Sequence, residues 1–199
     1  VETDIFFSKN LAAKIGVRGE NSELLNEFTL SPRTSVAYKV GKNVQFSLAY
    51  GQFYQNPKNN YLKFSDDFKA ENTSHLIANF QIAKQDQIFR VEAYYKDYKS
   101  LVKFDTEMAN FNSNFNNDGT GYAKGIDVFW RQNGKIKNTD YWISYSYLDT
   151  ERDYRNYPVA STPNFASQHN LSIVAKHWIP DLKSQVGFSY SFASGRTYT

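Results

Sequence analysis

The hydrophobic positions of the chain fall on alternate residues. Val44, Phe46, Leu48 and Tyr50 share one parity, and Gln45, Ser47, Ala49 and Gly51 the other. Successive side chains of a strand point to opposite faces, so a period of two predicts a strand with one apolar and one polar side. The same split sets Leu11, Ala13, Ile15 and Val17 against Lys14, Gly16 and Arg18. It recurs near the other end, with Val186, Phe188, Tyr190 and Phe192 against Gly187, Ser189 and Ser191. About nine such strands are predicted, at roughly 9–19, 28–40, 43–53, 70–84, 86–100, 119–132, 139–151, 164–178 and 183–195. The fold class that follows is all-β, an antiparallel up-and-down meander.

None of these apolar sets contains a charged residue. A cation facing lipid at mid-bilayer costs about 2–4 kcal/mol, so a membrane wall demands this. A water-soluble core demands it equally, and alternation alone leaves open which face points outward. The connections separate the two cases. Gly41-Lys42, Gln85-Asp86, Asn133 to Asn138 and Ile179-Pro180-Asp181 are short and carry turn-forming residues. The stretches 53–69, 101–118 and 152–163 are long, and 20–27 is intermediate. Every short turn falls at one end of the strands and every longer connection at the other. Outer-membrane barrels sort their connections in this way, with short periplasmic turns and long extracellular loops. The aromatics sort too. Phe28, Tyr50, Tyr95, Tyr122, Tyr147 and Phe192 lie at the loop end of the apolar face, and Phe80, Phe89, Trp130 and Tyr141 at the turn end. Two such belts suit two membrane interfaces. The expectation is part of a transmembrane β-barrel, with outer-membrane lipid against its apolar side.

Composition removes several alternatives. With 41% hydrophobic residues the chain is not disordered, and 17% aromatics suit strands and interfaces. The mean hydropathy of -0.62 is too polar for helical spans, and no apolar run approaches the roughly 20 residues such a span needs. A barrel strand escapes that requirement, because only every second residue meets lipid. The absence of cysteine excludes a disulfide scaffold and a thiolate metal site. Lys and Arg are scattered at a net charge of +3, which argues against nucleic acid as a partner. The chain opens at Val1 without a signal peptide, as a mature or excised piece does.

Several stretches, in their order along the whole chain, carry a family resemblance. They are Leu30-Ser-Pro-Arg33 with the following hairpin, Ala49-Tyr-Gly-Gln-Phe-Tyr-Gln-Asn-Pro57, Ala93-Tyr-Tyr-Lys-Asp-Tyr-Lys-Ser-Leu101 and Asn117-Asp-Gly-Thr-Gly-Tyr-Ala-Lys-Gly-Ile-Asp-Val128. Tyr141-Trp-Ile-Ser-Tyr-Ser-Tyr147, Phe165 to Ser172 and Ser194-Gly-Arg-Thr-Tyr198 continue the series. The chain resembles the barrel of TonB-dependent outer-membrane receptors, especially those of Bacteroidetes-type bacteria. The resemblance implies import of a scarce, bulky ligand, such as a siderophore, haem, a vitamin or a glycan, across the outer membrane of a Gram-negative bacterium. It implies a partner, the TonB complex, reached through a plug that residues 1–199 do not contain. Family barrels have about 22 strands, so the resemblance implies a section of the wall, from its later part. The isolated section, with two unpaired edges, is expected to self-associate. The alternatives are another outer-membrane barrel, a porin or adhesin, or a soluble β-sandwich that binds carbohydrate.

Candidate chemistry is sparse. Gly119-Thr-Gly-Tyr-Ala-Lys-Gly125 has neither the G-x-G-x-x-G spacing nor a following helix, so its glycines are expected to bend a strand or leave room for neighbours. His75, His169 and His177 lie at no metal-ligand spacing, and no G-x-S-x-G elbow occurs. Neither a metal, a cofactor nor an enzyme is expected. Aromatic and Arg side chains on long loops make natural ligand contacts, and Tyr54, Tyr61, Phe111, Phe115 and Arg155 are the candidates. Arg90, Glu92, Asp127 and Arg131, on the polar face, are expected to face the lumen. The stretch Asn110 to Asn117 reads as a mobile loop tip.

Overall fold

In the computed structural model, which describes residues 1–197, the alternating segments are strands. They are β1 (Glu2–Phe6), β2 (Leu11–Ser22), β3 (Glu27–Gly41), β4 (Val44–Gln55) and β5 (Glu71–Ala83). Then follow β6 (Gln87–Phe104), β7 (Phe115–Ile136), β8 (Thr139–Asp153), β9 (His169–Ile179) and β10 (Ser184–Ala193). A single helical turn, α1 (Asn59–Leu62), lies in the β4–β5 loop. The strands pair antiparallel in chain order as one 10-stranded sheet. Among the described residues nothing pairs β1 with β10, so the sheet is an unclosed section of wall. Tyr198, which ends the stretch begun at Ser194, lies outside the described residues.

Three boundaries differ from the sequence-based expectation, each for a physical reason. The additional strand is β1. Its five residues are too few to display a period, and Glu2 and Asp4 disguise it as polar. It holds to β2 by backbone pairing, with Glu2 ion-paired to Arg33 at 3.0 Å and Asp4 to Lys14 at 3.4 Å. The β6–β7 hairpin runs further than expected. A bulge around Ser100, whose φ is 56°, resets the register, and pairing continues to Phe104 and Phe115. In contrast, residues 164–168 are not strand. Pro163 accepts a turn bond from the Ala166 N–H, and the Ser167 hydroxyl donates to the Ser194 carbonyl at 3.0 Å.

The structure decides the question alternation left open. The apolar parity is the uncovered one: Leu48 is 48% exposed and Phe188 60%. A soluble sandwich packs a second sheet over such a face, and the described residues form one sheet only. The residue register adds an independent sign of a barrel. The hydrogen-bonded row through Phe192 runs through Leu171, Tyr145, Val128, Val91, Phe80, Phe46 and Tyr38. Phe192 ends this row at the loop-side girdle, whereas Phe80 and Phe46 belong to the turn-side end. On β3 the loop-side aromatic is Phe28, well above Tyr38. The apolar band therefore climbs along the strands by about 33 Å while crossing about 34 Å of sheet, a strand tilt of about 45°, the value transmembrane barrels adopt.

The polar parity forms the opposite face. One row on it reads Ser47, Asn79, Glu92, Asp127, Ser146 and Asn170. Gly125 sits beneath Tyr94, and a Cβ there would lie 2.5 Å from the Tyr94 hydroxyl oxygen. The glycines of the 119–125 run thus make room for neighbours. No helix among the described residues is long and apolar enough to cross a membrane.

Candidate functional site

Three long connections, 56–70, 105–114 and 154–168, meet at one end of the wall. Aromatic rings form a small core between the first two. Phe115 is its hub, 5.3 Å from Phe68, 5.8 Å from Phe104 and 6.4 Å from Tyr61 between ring centroids. Phe64 meets Phe111 edge-on at 5.0 Å. The asparagine-rich tip is a braced turn. The Asp105 carboxylate accepts from the Asn114 backbone N–H at 2.9 Å and from its side-chain amide at 2.5 Å, and these bonds hold its pKa below the usual range. Asn110 and Asn112 N–H groups donate to Ser113 Oγ and Asn110 Oδ1, at 2.9 and 2.8 Å.

Beside this core lies a cleft of about 320 Å³. Its lining residues Phe53, Thr73, Tyr98 and Arg152 lie in one cross-strand row, with Gly121 between Tyr98 and Arg152. Gly121 matters here because it has no side chain: a Cβ would stand 2.8 Å from Arg152 Cγ. Arg152 can therefore lean across β7, and its guanidinium lies 4.2 Å from the Tyr98 ring centre. Phe165 and Tyr154 stand at 5.5 and 5.7 Å on its other sides. Arg155, with φ at 55°, is fixed by its N–H to the Val102 carbonyl at 2.7 Å, and its guanidinium covers the Tyr154 ring at 4.8 Å. A backbone held at positive φ in a non-glycine residue costs energy that the surrounding bonds must offset.

Four buried side-chain polar atoms in the described residues have no hydrogen-bond partner: Thr73 Oγ1, Trp130 Nε1, Arg152 Nε and Tyr154 Oη. Three of them belong to cleft-lining residues. Leaving a buried donor unmet costs about 1–3 kcal/mol, so their gathering at one place is informative. Burial pushes the Tyr154 and Tyr61 hydroxyls above the usual tyrosine range, against the opposing pull of Arg155. Glu71, at the mouth above the aromatic girdle, is likewise raised by burial. The Val102 N–H at 3.2 Å and the cations Lys58, Arg152 and Arg155 offset part of that rise.

Of the residues expected to contact ligand, Tyr54, Tyr61 and Arg155 line this cleft together. Phe115 belongs to the aromatic core next to it, and Phe111, 79% exposed, projects from that core. Arg90, Glu92, Asp127 and Arg131 share the polar face lower on β6 and β7, away from the cleft. None of these four makes an ion pair among the described residues. Glu92 accepts from the Asn79 amide at 3.2 Å and faces Asp127 across the strands, while Arg131 Nε donates to Asn133 Oδ1 at 3.1 Å. Thr73, Tyr98 and Phe165 escaped sequence reasoning. The inward parity of Thr73 and Tyr98 near their loop ends was the available signal. No group of three or more His, Cys, Asp or Glu capable of holding a metal occurs among the described residues.

The sequence matches the family described as TonB dependent receptor-like, beta-barrel, over residues 1–199. The chain belongs to the β-barrel domain of TonB-dependent receptors. No curated protein matches it. Solved structures share its fold at low identity. The FrpB iron transporter from Neisseria meningitidis superposes with a TM-score of 0.71 at 12% identity, over 94% of this chain and 32% of that one. The alcaligin outer membrane receptor FauA from Bordetella pertussis gives 0.71 at 12%, over 96% and 36%. The ferric-catecholate import receptor Fiu from Escherichia coli gives 0.71 at 9%, over 94% and 33%. The chain spans about a third of the length of these structures.

Proposed function

We propose that this chain forms part of the wall of a receptor in the outer membrane of a Gram-negative bacterium. The receptor imports a scarce small molecule or glycan, and the TonB complex drives it through a plug carried elsewhere in the parent protein. The observation that carries the reading is the uncovered apolar band, which climbs across the sheet at the tilt of a closed barrel. Beneath the extracellular loops, the cleft at Tyr54, Tyr61 and Arg155 contacts the ligand on its way in, with Phe111 and Phe115 contributing from the adjoining core. Arg90, Glu92, Asp127 and Arg131 line the lumen below. Three structural relatives are described as an iron transporter, an alcaligin receptor and a ferric-catecholate import receptor, which favours an iron chelate among the ligand classes.

The test uses the parent gene. Its deletion should abolish growth on one iron chelate under iron limitation, and the protein should fractionate with the outer membrane and require detergent for extraction. Recovery as a detergent-free soluble monomer would overturn the membrane reading. Unchanged growth on every iron chelate, with loss of growth on a glycan or vitamin, would move the ligand class.

A further inference from the structure

Resting on the reading of the cleft as a ligand contact, its chemistry narrows what it takes. The lining holds three cations, Lys58, Arg152 and Arg155, against one carboxylate, Glu71. That leaves two positive charges in a partly enclosed space, where screening is weak. Neither Arg152 nor Arg155 has an ion-pair partner among the described residues. Glu71 offsets one of the three cations and makes no ion pair with either arginine among the described residues; one of its oxygens accepts the Val102 N–H at 3.2 Å.

The unpartnered atoms point the same way. Thr73 Oγ1, Arg152 Nε and Tyr154 Oη all carry a hydrogen to donate. Tyr154 is 8% exposed, and its hydroxyl has no hydrogen-bond partner among the described residues. A guest that satisfies three donors beside two unpaired guanidinium groups supplies oxygen acceptors and negative charge. The aromatic frame defines the rest of the guest. Tyr98 covers one face of the Arg152 guanidinium at 4.2 Å, with Phe165 at 5.5 Å. This leaves the in-plane N–H groups for an oxyanion, which arginine binds in a two-pronged fashion. The rings of Phe53, Tyr61 and Phe165 offer apolar surface to whatever carries the charge.

We infer that the cleft at the loop end recognises a small organic oxyanion, a carboxylate or phosphate group carried on a flat unsaturated body, with Arg152 as the central residue. Arg152 takes the oxyanion edge-on, Tyr154 and Thr73 donate to its remaining oxygens, and Arg155 and Lys58 supply the surrounding positive charge. Gly121 is part of the recognition, since it gives Arg152 the room to reach Tyr98.

The experiment uses the full-length receptor in detergent micelles and three probes sharing one ring: benzoate, phenyl phosphate and the neutral phenyl β-glucoside. Saturation-transfer NMR reads binding. The two anions should give signals and the glucoside none. Arg152→Gln should weaken anion binding by about tenfold, since a charge-assisted pair is lost. Arg152→Lys should recover part of it, keeping the charge but losing the fork. Tyr154→Phe preserves packing and should weaken binding about threefold, so the inference survives a failure of the arginine variants to fold. Lys42→Gln, in the turn at the far end of the wall, is the control. Binding of the glucoside in place of the anions, lost in Tyr154→Phe, would overturn the oxyanion while leaving the cleft as a ligand contact. Anion signals indifferent to both Arg152 and Tyr154 would overturn the inference and the reading it rests on.

Discussion

The wall and its mouth are built on opposite principles. In the wall, the backbone ladder satisfies the main-chain polar groups, side-chain pairs such as Asn79–Glu92 and Trp130–Tyr141 join neighbouring strands, and the apolar parity faces away from the protein. Leu48 and Phe188 stand uncovered, as the proposed lipid-facing wall requires. At the mouth the usual order of a water-soluble protein returns. Val102 and Phe68 are buried, Phe115 gathers four rings, and Asp105 ties a turn with its side chain. A substitution that one region absorbs should therefore damage the other.

The largest expected effect tests the wall. Leu48→Arg on the outward face should cost about 2–4 kcal/mol of stability in lipid vesicles. Ser47→Arg, its neighbour on the opposite face, should change stability by no more than about 0.5 kcal/mol. Urea unfolding in vesicles measures both, and equal costs would refute the assignment of faces. Phe115→Ala attacks the mouth. It should remove up to about 3 kcal/mol from the loop unit, seen as faster amide exchange in 56–70 and 105–114 with β3 to β5 unchanged. Slowed or lost folding of the whole barrel would show that the mouth is not separable.

Glu71 sharpens the comparison through pH. Its carboxyl titrates above the usual range, so the folded mouth holds the proton more tightly than the unfolded chain. That contribution favours folding below the unfolded value near about pH 4.3 and is lost as pH rises through the folded value. At pH 7 the buried charge weighs on the mouth. Glu71→Gln should stabilise the loops there by less than about 1 kcal/mol after solvent screening, with the difference gone below about pH 4. A gain that persists at pH 3 would contradict burial as its cause. Smallest of all, Asp105→Ala should raise protease nicking in 105–114 by about twofold, with the strands untouched.

The two regions also differ in how far the amino-acid sequence reveals them. Val44 to Tyr50 announces its strand and both its faces, because a period of two is a local property. Loop sorting placed the long connections together, and Tyr54, Tyr61 and Arg155 do converge at the cleft. What stayed hidden depends on distant register. Phe53, Thr73, Tyr98 and Arg152 share one row only because β4 to β8 align as they do. The bulge at Ser100, which shortens the apparent 101–118 loop, is set by tertiary pairing. Asn110 to Asn117 has the composition of a mobile tip, yet its side-chain oxygens accept from nearby backbone N–H groups.

Among the described residues each strand pairs its backbone only with the strand before it and the strand after it in the chain. Assembly of such a wall requires no distant segment to wait for another. A hairpin joins the growing edge as soon as it is delivered, and the loop closure it needs is short. The order of the strands along the chain can thus become the order of construction, each hairpin offering its free edge to the strand that follows it.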